Sequence, residues 1–95
     1  MPEMRFHVRW PDESIEVCYS PSLVIKDHFV PGTTYSLADF RERSRTALRI
    51  AAERVREKYG FYCSLAHDQL AQIEETAARF EIVPGASVTI ISFEE

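Results

Sequence analysis

Several features that would point to a function are scarce in this sequence. Its 95 residues contain two cysteines, three glycines and no long uninterrupted apolar run. Cys18 and Cys63 cannot build the multi-bridge framework of a small secreted domain, so we expect both thiols to be free. The N-terminal residues also lack the apolar core of a secretory signal, and no apolar run could span a bilayer. We therefore expect a cytoplasmic protein that does not enter the membrane.

Cofactor and metal motifs are missing as well. There is no GxGxxG and no P-loop, and Gly32, Gly60 and Gly85 suit turn or cap positions instead. The histidines and cysteines show no CxxC, HxxxH or HExxH spacing, which dedicated metal sites commonly use. We therefore predict neither a metal nor a cofactor.

The composition is that of a globular protein, with an uneven distribution of charge. Hydrophobic residues make up 45% and charged residues 27%, which suits one domain over residues 1–95. The formal net charge is −4, yet residues 36–59 alone carry about +3 and the remainder about −7. Because phosphate neutralisation drives nucleic-acid affinity, an acidic chain with one basic segment disfavours a general nucleic-acid binder.

The N-terminal third predicts a β-hairpin. Apolar residues alternate with polar ones on both sides of Pro11–Ser14, and we place a two-residue turn at Asp12 and Glu13. A period of two then fixes the register of every cross-strand pair. The predicted pairs are Trp10 with Ile15, Val8 with Val17 and Phe6 with Tyr19 on the buried face, and Arg9 with Glu16 and His7 with Cys18 on the other. Burial of these aromatic rings also argues against a stacking platform for single-stranded nucleic acid.

A long helix is predicted from Ser36 to Gly60. Ser36 suits the N-cap, Asp39 favours the positive end of the helix dipole, and Gly60 suits the C-terminal cap. At about 100° per residue, the apolar and small residues form one stripe. We predict that this stripe is buried and consists of Leu37, Phe40, Ser44, Ala47, Leu48, Ala51 and Val55.

The remaining elements complete an α+β fold. A second helix starts near Ser64, and we expect it to bury Ala66, Leu70, Ile73, Ala77 and Phe80. A closing strand, residues 88–93, has Val88 and Ile90 opposite Ile91 and Phe93, which suggests an interior place in the sheet. Residues 20–35 are less readable, with a short strand expected at residues 23–25. The predicted architecture has two layers: the hairpin and C-terminal strand in a mainly antiparallel sheet, packed by two helices, one of them long.

The long helix also carries a row of arginines. Arg41, Arg45, Arg49 and Arg56 fall within a sector of about 80° beside the apolar stripe. Guanidinium groups match phosphate and carboxylate geometry, so one interpretation is a site for a small anion or for the acidic surface of a partner protein. The alternative is a solvated face whose arginines pair with the chain's own acids.

Two further hypotheses involve other surfaces. If His7 faces Cys18 across the hairpin, a histidine beside a thiol could activate a cysteine nucleophile, and the chain would be a small enzyme. Ordinary polar-face residues would produce the same pair, and no oxyanion donor can be named. A third hypothesis is a structural homo-oligomer, such as a homodimer, whose helix faces pair.

The combination of short motifs resembles a small bacterial family of about this length. The motifs are Arg9-Trp10-Pro11-Asp12, Cys18-Tyr19-Ser20-Pro21-Ser22-Leu23-Val24, Phe40-x-x-Arg43-Ser44-Arg45-x-Ala47-Leu48, Ala52-Glu53-Arg54-Val55-Arg56, Lys58-Tyr59-Gly60-Phe61 and Asp68-Gln69-Leu70. The resemblance spans nearly the whole chain. That family is described as a nitrogen-starvation response protein encoded in a conserved cluster with a nitrilase.

This resemblance implies a physiological setting. It implies expression under nitrogen limitation, a role in the use of nitrile or cyanide nitrogen, and a cluster enzyme as the expected partner. Together with the arginine row, it favours a non-enzymatic accessory or regulatory protein that binds a partner protein or a small anion.

Overall fold

The computed structural model describes residues 2–61 and 63–95 and contains the predicted two layers. Its strands are β1 (Met4–Arg9), β2 (Ile15–Ser20), β3 (Thr34–Ser36) and β4 (Ser87–Glu94), and its helices are α1 (Ile25–His28), α2 (Leu37–Tyr59) and α3 (Ser64–Arg79). The strands form one antiparallel sheet in the order β2-β1-β4-β3. The predicted α+β class and the interior place of the last strand are confirmed.

The helix α2 follows its sequence signals closely. The Ser36 hydroxyl accepts a hydrogen bond from the Asp39 amide at 3.2 Å, and Gly60 ends the helix with a left-handed φ of 78°. The buried residues of α2 are the predicted stripe: Leu37, Phe40, Ser44, Ala47, Leu48, Ala51 and Val55. Capping and periodicity therefore specify this element without long-range information.

The hairpin has a different register from the predicted one, because its turn is one residue longer. Glu13 donates its amide to the Trp10 carbonyl at 2.8 Å, and the Trp10 amide donates to the Ser14 carbonyl at 2.9 Å. Glu13 adopts a φ of 69°, which completes a three-residue turn of the kind that normally places glycine in the left-handed position. Phe6 therefore pairs with Cys18 rather than with Tyr19.

This one-residue shift moves every side chain of β2 to the opposite face from the predicted one. Phe6 and Val8 of β1, and Trp10 just after it, are buried as expected. Ile15 and Val17, predicted to be buried, are instead 59% and 50% exposed. The predicted pairs of His7 with Cys18 and of Arg9 with Glu16 are wrong, since His7 lies opposite Val17 and Arg9 opposite Ile15.

Two other local predictions need correction. Residues 23–25 do not form a strand: the Ser22 hydroxyl accepts from the Val24 amide at 3.3 Å, and the chain enters α1 there. In β4, the pairing with β1 shifts between His7 and Val8, so that Phe93 lies opposite Phe6 and packs on the core. Phe93 therefore does not share the outer face with Ile91, because a bulge changes the alternation of the strand.

The helices cover one face of the sheet. Ala66, Ile73 and Ala77 of α3 are buried as predicted, while Leu70 and Phe80 are partly buried against the core. Within the described residues, no helix covers the other face, where Arg5, His7 and Arg9 of β1 lie beside the exposed side chains of β2. The fold thus leaves two surfaces for function: the outer side of the helical layer and the open side of the sheet.

Candidate functional site

Two of the four predicted site arginines are neutralised within the protein. Arg45 donates through Nε and Nη2 to Glu74 Oε2 of α3 at 2.9 and 2.7 Å. Arg41 Nε donates to the other oxygen of Glu74 at 3.4 Å, and its Nη1 pairs with Glu81. For Arg41 and Arg45, the structure agrees with the alternative interpretation, in which the arginines pair with the chain's own acids.

The carboxylate of Glu74 is held in its charged form by this arrangement. Burial alone would raise its pKa, but the hydrogen bonds and positive charges of Arg45 and Arg41 outweigh burial, so the pKa lies below its ordinary value. Glu74 thus ties α3 to α2 by an ion pair that is partly shielded from water, with 29% of its side chain exposed.

We expect a Glu74→Gln variant to lose up to about 1 kcal/mol of unfolding free energy at pH 7. Because the folded-state pKa is lowered, this contribution is present above the unfolded pKa and disappears as the pH falls through the folded value. Urea unfolding of both proteins at pH 7 and at pH 3 measures it. If the difference in unfolding free energy between the two proteins stays constant or grows at pH 3, the ion-pair arrangement is contradicted.

The other two arginines of the row have no such partner. Arg49 and Arg56 are exposed, and among the residues that the structure describes, neither guanidinium has an ion pair or a hydrogen bond. They lie two turns apart on α2, about 10 Å along its axis. Arg49 also lines a cavity of about 190 Å³ between α2 and α3, together with His67. The predicted row is therefore reduced to one pair of available cations.

The remaining arginines of the helix have structural contacts that sequence reasoning missed. Arg43 pairs with Asp39 at 3.0 Å, donates to the His28 carbonyl at 2.7 Å and lies 4.9 Å from the centroid of the Tyr35 ring. Arg54 donates to the Ser22 hydroxyl at 2.9 Å. Both residues bind the segment of residues 20–35 to α2, and no pattern in the sequence indicates these contacts.

The structure does not bring Cys18 and His7 together. Cys18 points into the core with no exposed surface, and burial raises the pKa of its thiol far above the ordinary value, with Glu16 adding to the effect. His7 lies on the open face of the sheet, where its Nε2 is 3.0 Å from Glu94 Oε2. Activation of a cysteine nucleophile requires the opposite environment, which is an accessible thiol beside a base.

A buried glutamine forms a further polar feature that sequence reasoning missed. Gln69 of α3 is 8% exposed, and its Oε1 accepts a hydrogen bond from the Tyr19 amide at the edge of β2, at 2.9 Å. Its Nε2 is buried without a partner among the described residues. Gln69 lies three residues after Ala66 and four before Ile73. Its position in an otherwise apolar stripe of α3 could therefore have indicated a buried polar residue.

The described residues offer neither a metal-binding cluster nor a membrane-spanning helix. Within 2–61 and 63–95, no three His, Cys, Asp or Glu side chains are grouped in a way that could hold a metal ion. None of the described helices, including the 23-residue α2, is both long enough and apolar enough for a bilayer crossing.

The fold and the site define a small α+β protein with helices on one face of an antiparallel sheet and a basic helix whose arginines are ion-paired only in part. The chain belongs to the family of the nitrogen starvation-induced protein NitG, which matches residues 5–93. Membership confirms the resemblance to a nitrogen-starvation response family and makes this a nitrogen-starvation-related protein. Comparisons with curated proteins and with solved structures give no match.

Proposed function

We propose that this protein is a non-catalytic, cytoplasmic component of the nitrogen-starvation response and that it binds the acidic surface of a partner protein. Arg49 and Arg56 of α2 provide the contact. An enzyme encoded in the nitrilase cluster is the proposed partner, and use of nitrile or cyanide nitrogen is the proposed pathway. Binding is favoured over turnover because the candidate nucleophile Cys18 is buried in its neutral form.

The observation that carries this proposal is the division of the arginine row. Glu74 and Glu81 pair with Arg41 and Arg45, whereas Arg49 and Arg56 stay exposed and without a partner in the described chain. Glu53 lies between them on the helix, yet it forms no ion pair with either one there. Arginine is favoured in interfaces because its planar group can bind a carboxylate through two hydrogen bonds.

The test compares charge-matched variants in binding to the purified nitrilase of the cluster and to the other cluster proteins. Arg49→Gln/Arg56→Gln should weaken partner binding by about tenfold or more, since each lost charged contact is worth on the order of 1 kcal/mol or more. The control, Arg9→Gln/Arg79→Gln, removes the same charge from surfaces elsewhere and should bind normally.

Ionic strength gives a second measure of the same contact. Raising the salt concentration should weaken the wild-type complex more than the complex of the Arg49→Gln/Arg56→Gln variant, because exposed charge pairs are screened. Equal binding by both double variants, or binding only of a second copy of this chain, would reject the proposal.

A further inference from the structure

Two cavities lie on either side of Tyr19, at the end of the sheet that faces the start of α3. The larger, of about 480 Å³, has several polar and charged residues in its lining, including Arg5, Asp68, Gln69 and Gln72. The smaller, of about 270 Å³, is lined by an apolar and aromatic set that includes Val55, Tyr59, Phe61 and Cys63. Both share Glu3 and Tyr19, so a polar compartment adjoins an apolar one.

The polar compartment contains an unsatisfied donor. Gln69 Oε1 accepts from the Tyr19 amide, which fixes the orientation of the side-chain amide and leaves Nε2 as a buried N–H donor with no partner within residues 2–61 and 63–95. Leaving such a donor unpaired is unfavourable, because the group has lost its hydrogen bonds to water and gained none in the protein. Because Gln69 lines this compartment, a ligand oxygen that enters it can serve as the acceptor that this donor lacks.

Two opposite charges from different elements face the same compartment. Arg5 projects from β1 and Asp68 from α3, both are exposed, and among the described residues they are not ion-paired with each other or with other side chains. The Arg5 guanidinium carbon lies 5.9 Å from the centroid of the Tyr19 ring. A positive group on the sheet side and a negative group on the helix side complement a ligand that carries both charges.

Tyr19, which the two compartments share, lies close to charged groups. Burial, together with a hydrogen bond and the negative charge of Glu3, raises the pKa of the Tyr19 hydroxyl above its ordinary value, while Arg5 opposes the change. Glu3 lines both compartments and Asp68 lines the polar one, so the groove has two carboxylates beside the one guanidinium of Arg5. A dianion would meet repulsion from Glu3 and Asp68, whereas a simple cation would leave the Arg5 guanidinium without a partner.

We propose that this groove binds a zwitterionic α-amino acid with an apolar or aromatic side chain, its carboxylate on Arg5 and Gln69 and its ammonium group on Asp68. The ligand side chain lies against Tyr19 and enters the compartment formed by Tyr59 and Phe61, where aromatic contacts add affinity. This site is separate from Arg49 and Arg56, so it adds a small-molecule ligand to the proposed partner contact. Amino acids are nitrogenous metabolites, which suits a starvation-related protein.

The test uses calorimetric titration of the full chain with L-phenylalanine and L-leucine, and with two probes that each lack one charge. N-acetyl-L-phenylalanine lacks the ammonium group and phenethylamine lacks the carboxylate, so each should bind about tenfold more weakly than L-phenylalanine, or worse. Weaker binding of both probes supports the proposal. Absence of saturable binding of both amino acids up to about 10 mM, a concentration that corresponds to about −2.7 kcal/mol, would overturn it.

Matched variants locate the ligand. Arg5→Gln should weaken L-phenylalanine binding by about tenfold, whereas Arg9→Gln, on the same strand and face but outside the groove, should leave it unchanged. Gln69→Glu keeps an acceptor for the Tyr19 amide and replaces the donor with a carboxylate oxygen, so it should lose binding while the thermal midpoint confirms folding. Equal effects of Arg5→Gln and Arg9→Gln, or unchanged binding by Gln69→Glu, would place the ligand elsewhere and reject this site.

Discussion

A Phe40→Ala variant is expected to lose about 3–5 kcal/mol of unfolding free energy, the usual range for removing a buried phenylalanine. Phe40 has no exposed surface. Its ring centroid lies 5.4 Å from that of Trp10 in an edge-on arrangement and 5.5 Å from that of Phe29. Because it joins α2 to the end of the hairpin and to the segment around α1, its loss leaves a cavity where three parts of the fold meet.

Urea unfolding followed by circular dichroism measures this loss. Small proteins have total stabilities of about 5–15 kcal/mol. The variant should therefore unfold at a much lower urea concentration than the wild type, or be close to half unfolded without urea. Phe61→Ala provides the control, since this phenylalanine is 63% exposed and its removal should change stability by no more than about 0.5 kcal/mol. Comparable losses in the two variants would mean that Phe40 is not a central core residue.

The Cys18 thiol is expected to react with a disulfide reagent at least about a thousandfold more slowly than the same thiol in the urea-unfolded chain. Its sulfur is buried and its pKa is raised, chiefly by burial, so reaction requires opening of the core. Raising the pH from 7 to 9 should not abolish this protection while the protein stays folded. A Cys63→Ser variant makes the measurement specific, with release of the coloured thiol as the signal.

The Cys18→Ser variant serves as the comparison, because it retains only Cys63, at the first position before α3. Cys63 is 9% exposed and lies at the surface cavity beside Tyr19, so it should react faster than Cys18. A fast reaction at Cys18 that slows when His7 is changed to alanine would contradict the described register. That result would revive the cysteine-enzyme hypothesis.

The sequence was sufficient to predict an element where several local signals indicated the same structure. In α2, the Ser36 cap, the Gly60 cap and the 3.6-residue period all indicate the same helix, and its buried face follows. The hairpin register could not be derived in this way, because a two-residue and a three-residue turn both fit Pro11–Ser14. The deciding feature is the positive φ of Glu13, a conformation in which a charged residue is uncommon.

The candidate site was predictable only in part for a related reason. Helical spacing places Arg41, Arg45, Arg49 and Arg56 on one side of α2, but it does not show which acid of another helix reaches them. Glu74 pairs with Arg41 and Arg45 because of its position on α3, and that position depends on how the two helices pack. The groove beside Tyr19 likewise depends on the hairpin register, since Tyr19 was predicted to be buried on the opposite face of the sheet.

Affinity purification from nitrogen-starved cells at physiological salt, followed by native mass spectrometry, tests the proposed partner contact most directly. The tagged wild-type chain, the Arg49→Gln/Arg56→Gln variant and the Arg9→Gln/Arg79→Gln control are compared. We predict that one protein encoded in the nitrilase cluster elutes in a defined stoichiometry with the wild-type chain and the control but not with the Arg49→Gln/Arg56→Gln variant. Recovery of the same partner with all three chains, or of the bare chain in every case, would contradict binding through Arg49 and Arg56.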